Sequence, residues 1–532
     1  MTSAVFGSPA ALRDAQVVVI GAGVGGLVSA LLLAHRGVRV TVLEAAATPG
    51  GKMRQLHVDG AAIDAGPTVF TMRWVFDQIF EAAGTTLAAQ LKLQALAVLG
   101  RHAWAGQTKT LDLFAERARS VDAIGAFSGA AEARRFVQFC AEAERVYRAL
   151  LAPHIRSARP SLRSMAAGLG PSGLLTLASL GPFATMWGRL GRHFHDPRLQ
   201  QLFGRYATYC GSSPWLAPAT LMLVAQVELD GVWAVEGGMH ALAQTLANLA
   251  QARGAELRYG QAVDQILLQG GQASGVRLAD GSILTADAVV FNGDAQALAS
   301  GLLGPQAKPA VKALPRGQRS LSAVTWAMHA RASGFPLVRH NVFFDDDYAS
   351  EFADVFQHRR LPQRGTVYVC AQDRADDGLV TRDHERILCL VNAPPDGDQN
   401  PFDPAETDPC EQRQRALLGR CGLTLTAAPH QVQRTTPHDF DRLFPATGGA
   451  LYGPAAHGWM SVFRRPGATS QVPGLYLAGG SVHPGPGVPM AALSGQRAAE
   501  TLMAHLDSTS RSRRVATSGG TSTPSVTTAN TA

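Results

Sequence analysis

Gly21-Ala22-Gly23-Val24-Gly25-Gly26 is the stretch that decides the fold. It follows a short β-branched apolar run, residues 16–20, and opens residues 24–36, where apolar side chains recur at helical spacing; residues 38–44 form a second apolar run. Strand, glycine turn, helix and strand make a βαβ unit. In the spacing GxGxxG, Gly21 permits the tight turn, Gly23 lets a pyrophosphate approach the backbone, and Gly26 lets the helix pack on the strand. The start of the helix then faces the phosphates. Glu44, 23 residues after Gly21, ends the second strand, where a carboxylate accepts hydrogen bonds from a ribose. The reading is α/β, with a Rossmann-type dinucleotide site.

Further along come Pro49-Gly50-Gly51-Lys52-Met53-Arg54 and Asp64-Ala65-Gly66-Pro67-Thr68. A glycine pair followed by cations offers backbone donors and positive charge beside a pyrophosphate. Residues 239–253 read as a helix and residues 255–259, 263–268, 273–278 and 288–292 as strands, the last three joined as a meander through Gly270-Gly271 and Asp280-Gly281. Residues 474–478 read as a strand that enters a glycine-rich loop and a helix from about residue 489 to 506. The layout expected is a nucleotide domain interrupted twice. Its parts are residues 14–112, 231–300 and 461–506, with helix-rich residues 113–230 and a mixed stretch, 301–460, as the inserted substrate domain. Residues 507–532, rich in Ser, Thr, Gly and Ala, are expected to form a disordered tail.

A chain of 532 residues exceeds one compact unit. Hydrophobic residues make up 46% and charged residues 17%, which suits a large apolar core and an apolar ligand. The net charge of +7 owes three of its cations, Arg511, Arg513 and Arg514, to the tail, so no nucleic-acid partner is expected. Six cysteines without CxxC spacing suggest buried thiols in a reduced compartment and no metal site. Residues 1–15 lack the charged and apolar regions of a signal peptide. The uncharged window 164–188 is interrupted by Gly170, Pro171, Gly181 and Pro182, so it does not read as a membrane span. With Arg159, Arg163, Arg189 and Arg192 at its flanks it reads equally as an interfacial segment or as a buried helical hairpin. The expectation is a cytoplasmic protein, peripherally associated with the inner membrane.

Four motifs together resemble the phytoene-desaturase family of FAD-dependent carotenoid desaturases and isomerases: Glu44 with Gly50-Gly51, the Asp64 to Thr68 loop, Glu236-Gly237-Gly238-Met239, and Tyr476-Leu477-Ala478-Gly479-Gly480-Ser481-Val482-His483-Pro484-Gly485. The resemblance runs from about residue 17 to 506. Within the family, DAGPTVFTMRWVF (Asp64 to Phe76) looks most like the 1-hydroxycarotenoid 3,4-desaturases. Lys52 departs from the pattern, which commonly has Arg there. The resemblance implies the amine-oxidase-like and GDI-like superfamily fold, an acyclic carotenoid substrate, a membrane surface as partner, and oxygen or a quinone as electron acceptor.

It also implies noncovalent FAD on Gly21, Ala22, Gly23, Gly25, Gly26, Leu27, Glu44, Ala45, Gly51, Lys52 and Arg54, with the Val263 backbone at the adenine. The flavin end would meet Gly66, Pro67, Thr68, Gly480, Ser481, Gly487, Val488 and Met490. Pro489 suits a first helical turn, whose unpaired amides stabilise negative charge on a reduced flavin. Glu236 and His483 are the candidate catalytic groups. Trp187, Phe194, Phe203, Tyr206, Tyr209, Trp215 and Trp233 suit either a tunnel for a polyene or plain core. Three activities fit these residues: desaturation, redox-neutral cis–trans isomerisation, and non-enzymatic lipid carriage; the intact loop from Gly479 to Met490 argues against the third.

Overall fold

The computed structural model describes residues 14–158, 162–181, 183–374 and 383–517. The stretch read for a signal peptide therefore lies outside the described residues but for its last two, as do Arg159 and residues 518–532 of the expected tail.

Five short strands, β1 (Gln16–Ile20), β2 (Arg39–Glu44), β3 (Glu256–Tyr259), β4 (Ala288–Phe291) and β5 (Leu475–Leu477), form one parallel sheet in the order β5-β4-β1-β2-β3. Its register is fixed by pairs such as Val19 with Val290 and Val42. The sheet gathers segments more than 400 residues apart, and β1 and β4 are almost wholly buried, as parallel strands covered on both faces must be. Helix α1 (Val24–His35) is buried over nearly its whole length because α2 (Met239–Ala252) and α3 (Val488–Thr517) pack beside it. The α1–α3 crossing is very close: a Cβ on Gly495 would stand 2.1 Å from the Gly25 carbonyl oxygen. Only glycine allows that approach.

The meander differs from the sequence expectation. Strand 288–292 leaves it for the central sheet, and Ile283–Thr285 takes its place beside Gln272–Leu278. Ala288–Phe291 is apolar on both faces, which a solvent-edged meander does not need and a central parallel strand does. The boundary at residue 112 also moves. Val98–Trp104 pairs in parallel with His340–Phe344, so residues 98–112 belong to the large mixed sheet that runs through Ser322–Ser333, Glu385–Ala393 and Val367–Ala371. Such pairing is non-local and leaves no mark at the boundary itself. At the other end α3 continues to Thr517, into the stretch expected to be a tail from Asp507.

Leu162–Leu180 is helical with a break at Gly170, whose φ of 61° precedes Pro171. Among the described residues no helix is long and apolar enough to cross a membrane.

Candidate functional site

The cradle at the start of α1 consists of backbone. Gly23 is the N-cap, in extended conformation and with no capping side chain, so the first-turn amides of α1 are not closed off. The Gly50 amide donates to the Ala22 carbonyl at 2.8 Å, and a Cβ on Gly51 would reach to 3.2 Å from Gly23 Cα, so the two glycine loops touch. A Cβ on Gly26 would stand 2.1 Å from the Gly21 carbonyl oxygen. Glu44 accepts the Ala22 amide at 2.6 Å and the Ala46 amide at 2.8 Å. The Gln261 amide donates to the Glu44 carbonyl at 2.8 Å, which brings the start of Val263–Gln269 to the same end. Ala45 is exposed there, whereas Leu27 is buried in the core.

Half-buried Lys52 donates to the Leu451 carbonyl at 2.7 Å, and desolvation lowers its pKa. Arg54 donates to Thr435 Oγ1 at 3.0 Å and lies over the Phe440 ring. Asp64 caps α2, accepting the Met239 amide at 2.5 Å and the His240 amide at 3.3 Å. A Cβ on Gly238 would come within 2.2 Å of that carboxylate, which accounts for the second glycine of Glu236-Gly237-Gly238. A Cβ on Gly66 would stand 1.8 Å from the Lys52 carbonyl oxygen, and Thr68 Oγ1 lies 2.7 Å from the Tyr368 hydroxyl. In the C-terminal loop Gly480 accepts from Arg465, Ser481 Oγ accepts the Ala295 amide at 3.1 Å, and Gly487, Val488 and Met490 begin α3.

Sequence reading missed Asn292 and Arg465. Asn292 lies under the first glycine turn and beside Gly479: Cβ atoms on Gly23 or Gly25 would meet its amide at 2.8 Å, and one on Gly479 at 2.9 Å. Its Oδ1 is buried without a partner. Half-buried Arg465, its pKa pulled down to about 10 by desolvation, also donates to the carbonyls of Tyr452 and Pro454. Neither belongs to a glycine motif; each is a lone polar residue beside a strand or loop, and pattern alone does not single it out. An uncapped helix start, a glycine turn without side chains of its own and the orphaned Asn292 oxygen beneath it fit an anionic diphosphate with hydroxyl groups attached.

The candidate catalytic pair is divided. Glu236 faces solvent, 69% exposed, in an ion pair with Lys92. His483 is buried; its Nε2 lies 3.0 Å and 3.1 Å from the His154 and Ser157 carbonyls, and burial lowers its pKa to about 4. With the proton held between two carbonyl oxygens, Nδ1 carries a bare lone pair and has no partner.

The aromatic stripe separates into three. Phe194, Phe203 and Tyr206 pack with Phe136 and Phe139, Trp187 and Trp215 with Tyr348, and Trp233 edge-on to Phe70. Between the first group and the mixed sheet lies a cavity of about 20 Å³. Arg205, Tyr209, Glu228, His340 and Tyr368 line it among apolar neighbours such as Val69 and Leu202.

The chain matches the family model described as flavin containing amine oxidoreductase over residues 24–503. It is 66% identical to the hydroxyneurosporene desaturase of Rubrivivax gelatinosus, over 97% of this chain and 98% of that one. With the hydroxyneurosporene desaturase of Cereibacter sphaeroides it shares 47% identity over 93% and 99%. Among solved structures an oxidoreductase from Methanosarcina mazei superposes with a TM-score of 0.57 at 18% identity, over 91% of this chain and 100% of that one, a likeness of fold. A flavoprotein oxidoreductase with FAD as its cofactor is thus the class that fold and site define. The chain belongs to the flavin-containing amine oxidoreductase family, in its phytoene-desaturase branch.

Proposed function

We propose that the protein is a carotenoid 3,4-desaturase, which removes two hydrogens from the C-3–C-4 bond of a 1-hydroxylated or 1-methoxylated acyclic carotenoid. The match to a desaturase named for hydroxyneurosporene, along nearly the full length of both chains, carries this reading. Bound in the glycine cradle, FAD supplies the acceptor for a hydride. The Gly21 to Gly26 turn and the α1 amides would hold its pyrophosphate, Glu44 its ribose, the Val263 backbone its adenine, and residues 66–68 and 480–490 its flavin end. The buried aromatic interior aligns the polyene and excludes water, and delocalisation along the polyene lowers the barrier to losing hydride from the allylic carbon.

His483 Nδ1, a buried lone pair, takes the proton that leaves the neighbouring carbon. A base of low pKa suffices, because that carbon is strongly acidified once the hydride has gone. His483→Gln should lower kcat about 10²-fold while KM and flavin content stay unchanged; an unaltered kcat removes His483 from the chemistry. Oxygen or a quinone would take up the two electrons that bound FAD accepts with the hydride.

Leu175 and Phe183 are 71% and 79% exposed, and the Phe183 ring meets Trp459, itself 44% exposed. This apolar patch supports peripheral docking on the inner membrane, where such a substrate dissolves. Of the flanking cations described, Arg189 is engaged by Glu142, which leaves exposed Arg192 for headgroups. The decisive experiment incubates FAD-loaded protein with liposomes carrying 1-hydroxyneurosporene and reads the extracted pigment. A red shift worth one more conjugated double bond is expected. An unchanged chromophore with altered cis–trans ratio would overturn the desaturase reading.

A further inference from the structure

The cavity beside the mixed sheet holds several buried polar groups, and nearly all of them satisfy one another. Glu228 accepts from the Tyr206 hydroxyl at 2.6 Å. Arg205 donates to the Tyr209 hydroxyl at 3.0 Å and lies over the Tyr209 and Tyr368 rings. His340 is the exception. Its Nδ1 lies 2.7 Å from the Tyr368 hydroxyl, but its Nε2 is buried without a partner.

The shortfall persists in either tautomer. If Tyr368 donates to Nδ1, Nε2 carries an unused N–H; if Nδ1 carries the proton, Nε2 shows an unused lone pair. Burial lowers the pKa of this imidazole to about 3, so one of these neutral forms is present at working pH. The cavity, about 20 Å³ and walled in part by Val69, Leu202 and Val342, has room for one hydroxyl-sized group set among apolar side chains.

We propose that His340 Nε2 is the hydrogen-bond partner of the substrate's terminal hydroxyl and sets the register of the polyene. The inference rests on the desaturase reading above and adds to it the residue that selects hydroxylated substrates. Position supports it. Tyr368 bridges His340 to Thr68, in the loop assigned to the flavin end. In a 1-hydroxycarotenoid only C-2 separates the hydroxyl-bearing carbon from the bond to be desaturated, so the hydroxyl's receptor has to lie beside the flavin site and not at the far end of the interior. A methyl ether at the same carbon can accept from Nε2–H but cannot donate, which makes the Nε2-protonated tautomer the one able to serve both substrates.

Two variants separate the role of Nε2 from that of the ring. His340→Asn keeps a polar atom near the Nδ1 position for Tyr368 and removes the one at Nε2; His340→Gln reaches the Nε2 position. Wild-type and variant enzymes, FAD-loaded, are assayed with 1-hydroxyneurosporene and neurosporene for kcat and KM, and binding of each is titrated under anaerobic conditions by the polyene absorption shift. In His340→Asn the preference for the hydroxylated polyene should fall by about ten- to a hundredfold, through KM and binding, with neurosporene unaffected. His340→Gln should restore most of it. Equal losses for both polyenes, or a preference that survives in His340→Asn, would overturn the assignment. Because binding is read without turnover, a wild-type enzyme that binds the hydroxylated polyene selectively but does not desaturate it would refute the desaturase reading and leave this one standing.

Discussion

The glycine cradle around residues 21–26 and the polar cavity beside His340 lie in one chain but are built by opposite means. The cradle is backbone: its atoms are placed by positive φ angles and by contacts too close for a Cβ, as at Gly26 and Gly495. The cavity is side chain throughout, and each member is held by another: Glu228 by Tyr206, Arg205 by Tyr209, Tyr368 by Thr68 and His340. A backbone site tolerates no added atom, and its open amides favour an anion. A side-chain site inside an apolar shell tolerates changes of size better than changes of polarity, since an unpaired polar group there has no water to turn to.

The largest effect expected from this contrast is at the cradle. Gly26→Ala drives a methyl group to 2.1 Å from the Gly21 carbonyl oxygen, which the strand–helix junction cannot yield without moving the α1 amides. The variant should purify without flavin, measured as flavin absorbance per mole of protein, with circular dichroism as the check on folding. Full flavin content would show that the cradle has more give than its contacts suggest.

Next in size is the shell around the cavity. Phe203 is buried and contacts Phe136, Phe139, Phe194 and Tyr206. Phe203→Ala should cost ~3–5 kcal/mol in denaturant unfolding, by lost transfer energy and the void left behind. Flavin should remain bound at low denaturant. A loss of flavin in parallel with stability would mean that cradle and shell unfold as one unit.

Acid tests the polar side of the same contrast. Burial lowers His102 to about 4 and His340 to about 3, against an ordinary 6.5. Below pH 6.5 the unfolded chain takes up protons that the folded chain refuses, so stability is full above 6.5 and declines as pH falls toward those values. Each such histidine contributes up to ~1.4 kcal/mol per pH unit. His102→Gln should flatten the acid limb of a stability–pH curve by about that amount per unit; an unchanged slope would show that His102 protonates freely in the folded protein.

The contrast also explains what the sequence disclosed. Glycines of the cradle are legible because their spacing is local: Gly21, Gly23 and Gly26 lie within one turn and a half of chain. The cofactor and the parallel sheet follow from them. His340 and Tyr368 lie on neighbouring strands of a sheet whose pairing crosses hundreds of residues, so nothing near either residue marks it. The same non-locality hid the pairing of Val98–Trp104 and the true place of Ala288–Phe291. Glu236 drew attention through its motif, yet Gly238 is the member that the close approach of Asp64 requires.

The smallest effect concerns a surface that neither region needs for folding. Leu175 stands out from the helix Leu162–Leu180 and Phe183 from the turn after it, and Phe183 meets Trp459 edge-on at 6.4 Å between ring centres. Full burial of a Leu or Phe side chain is worth ~1.5–3 kcal/mol, and interfacial burial is partial, so Leu175→Ser and Phe183→Ser should each weaken partitioning onto liposomes by about tenfold. Because both side chains already face solvent, unfolding free energy should stay within ~0.5 kcal/mol of wild type. Turnover of carotenoid delivered in detergent micelles should be unchanged, and turnover of liposome-borne carotenoid should fall in step with partitioning. If flotation is unaltered when Leu175→Ser and Phe183→Ser are combined, the patch is not the membrane contact. Exposed Arg192 is then the next residue to change, with salt dependence in place of apolar area as the signature.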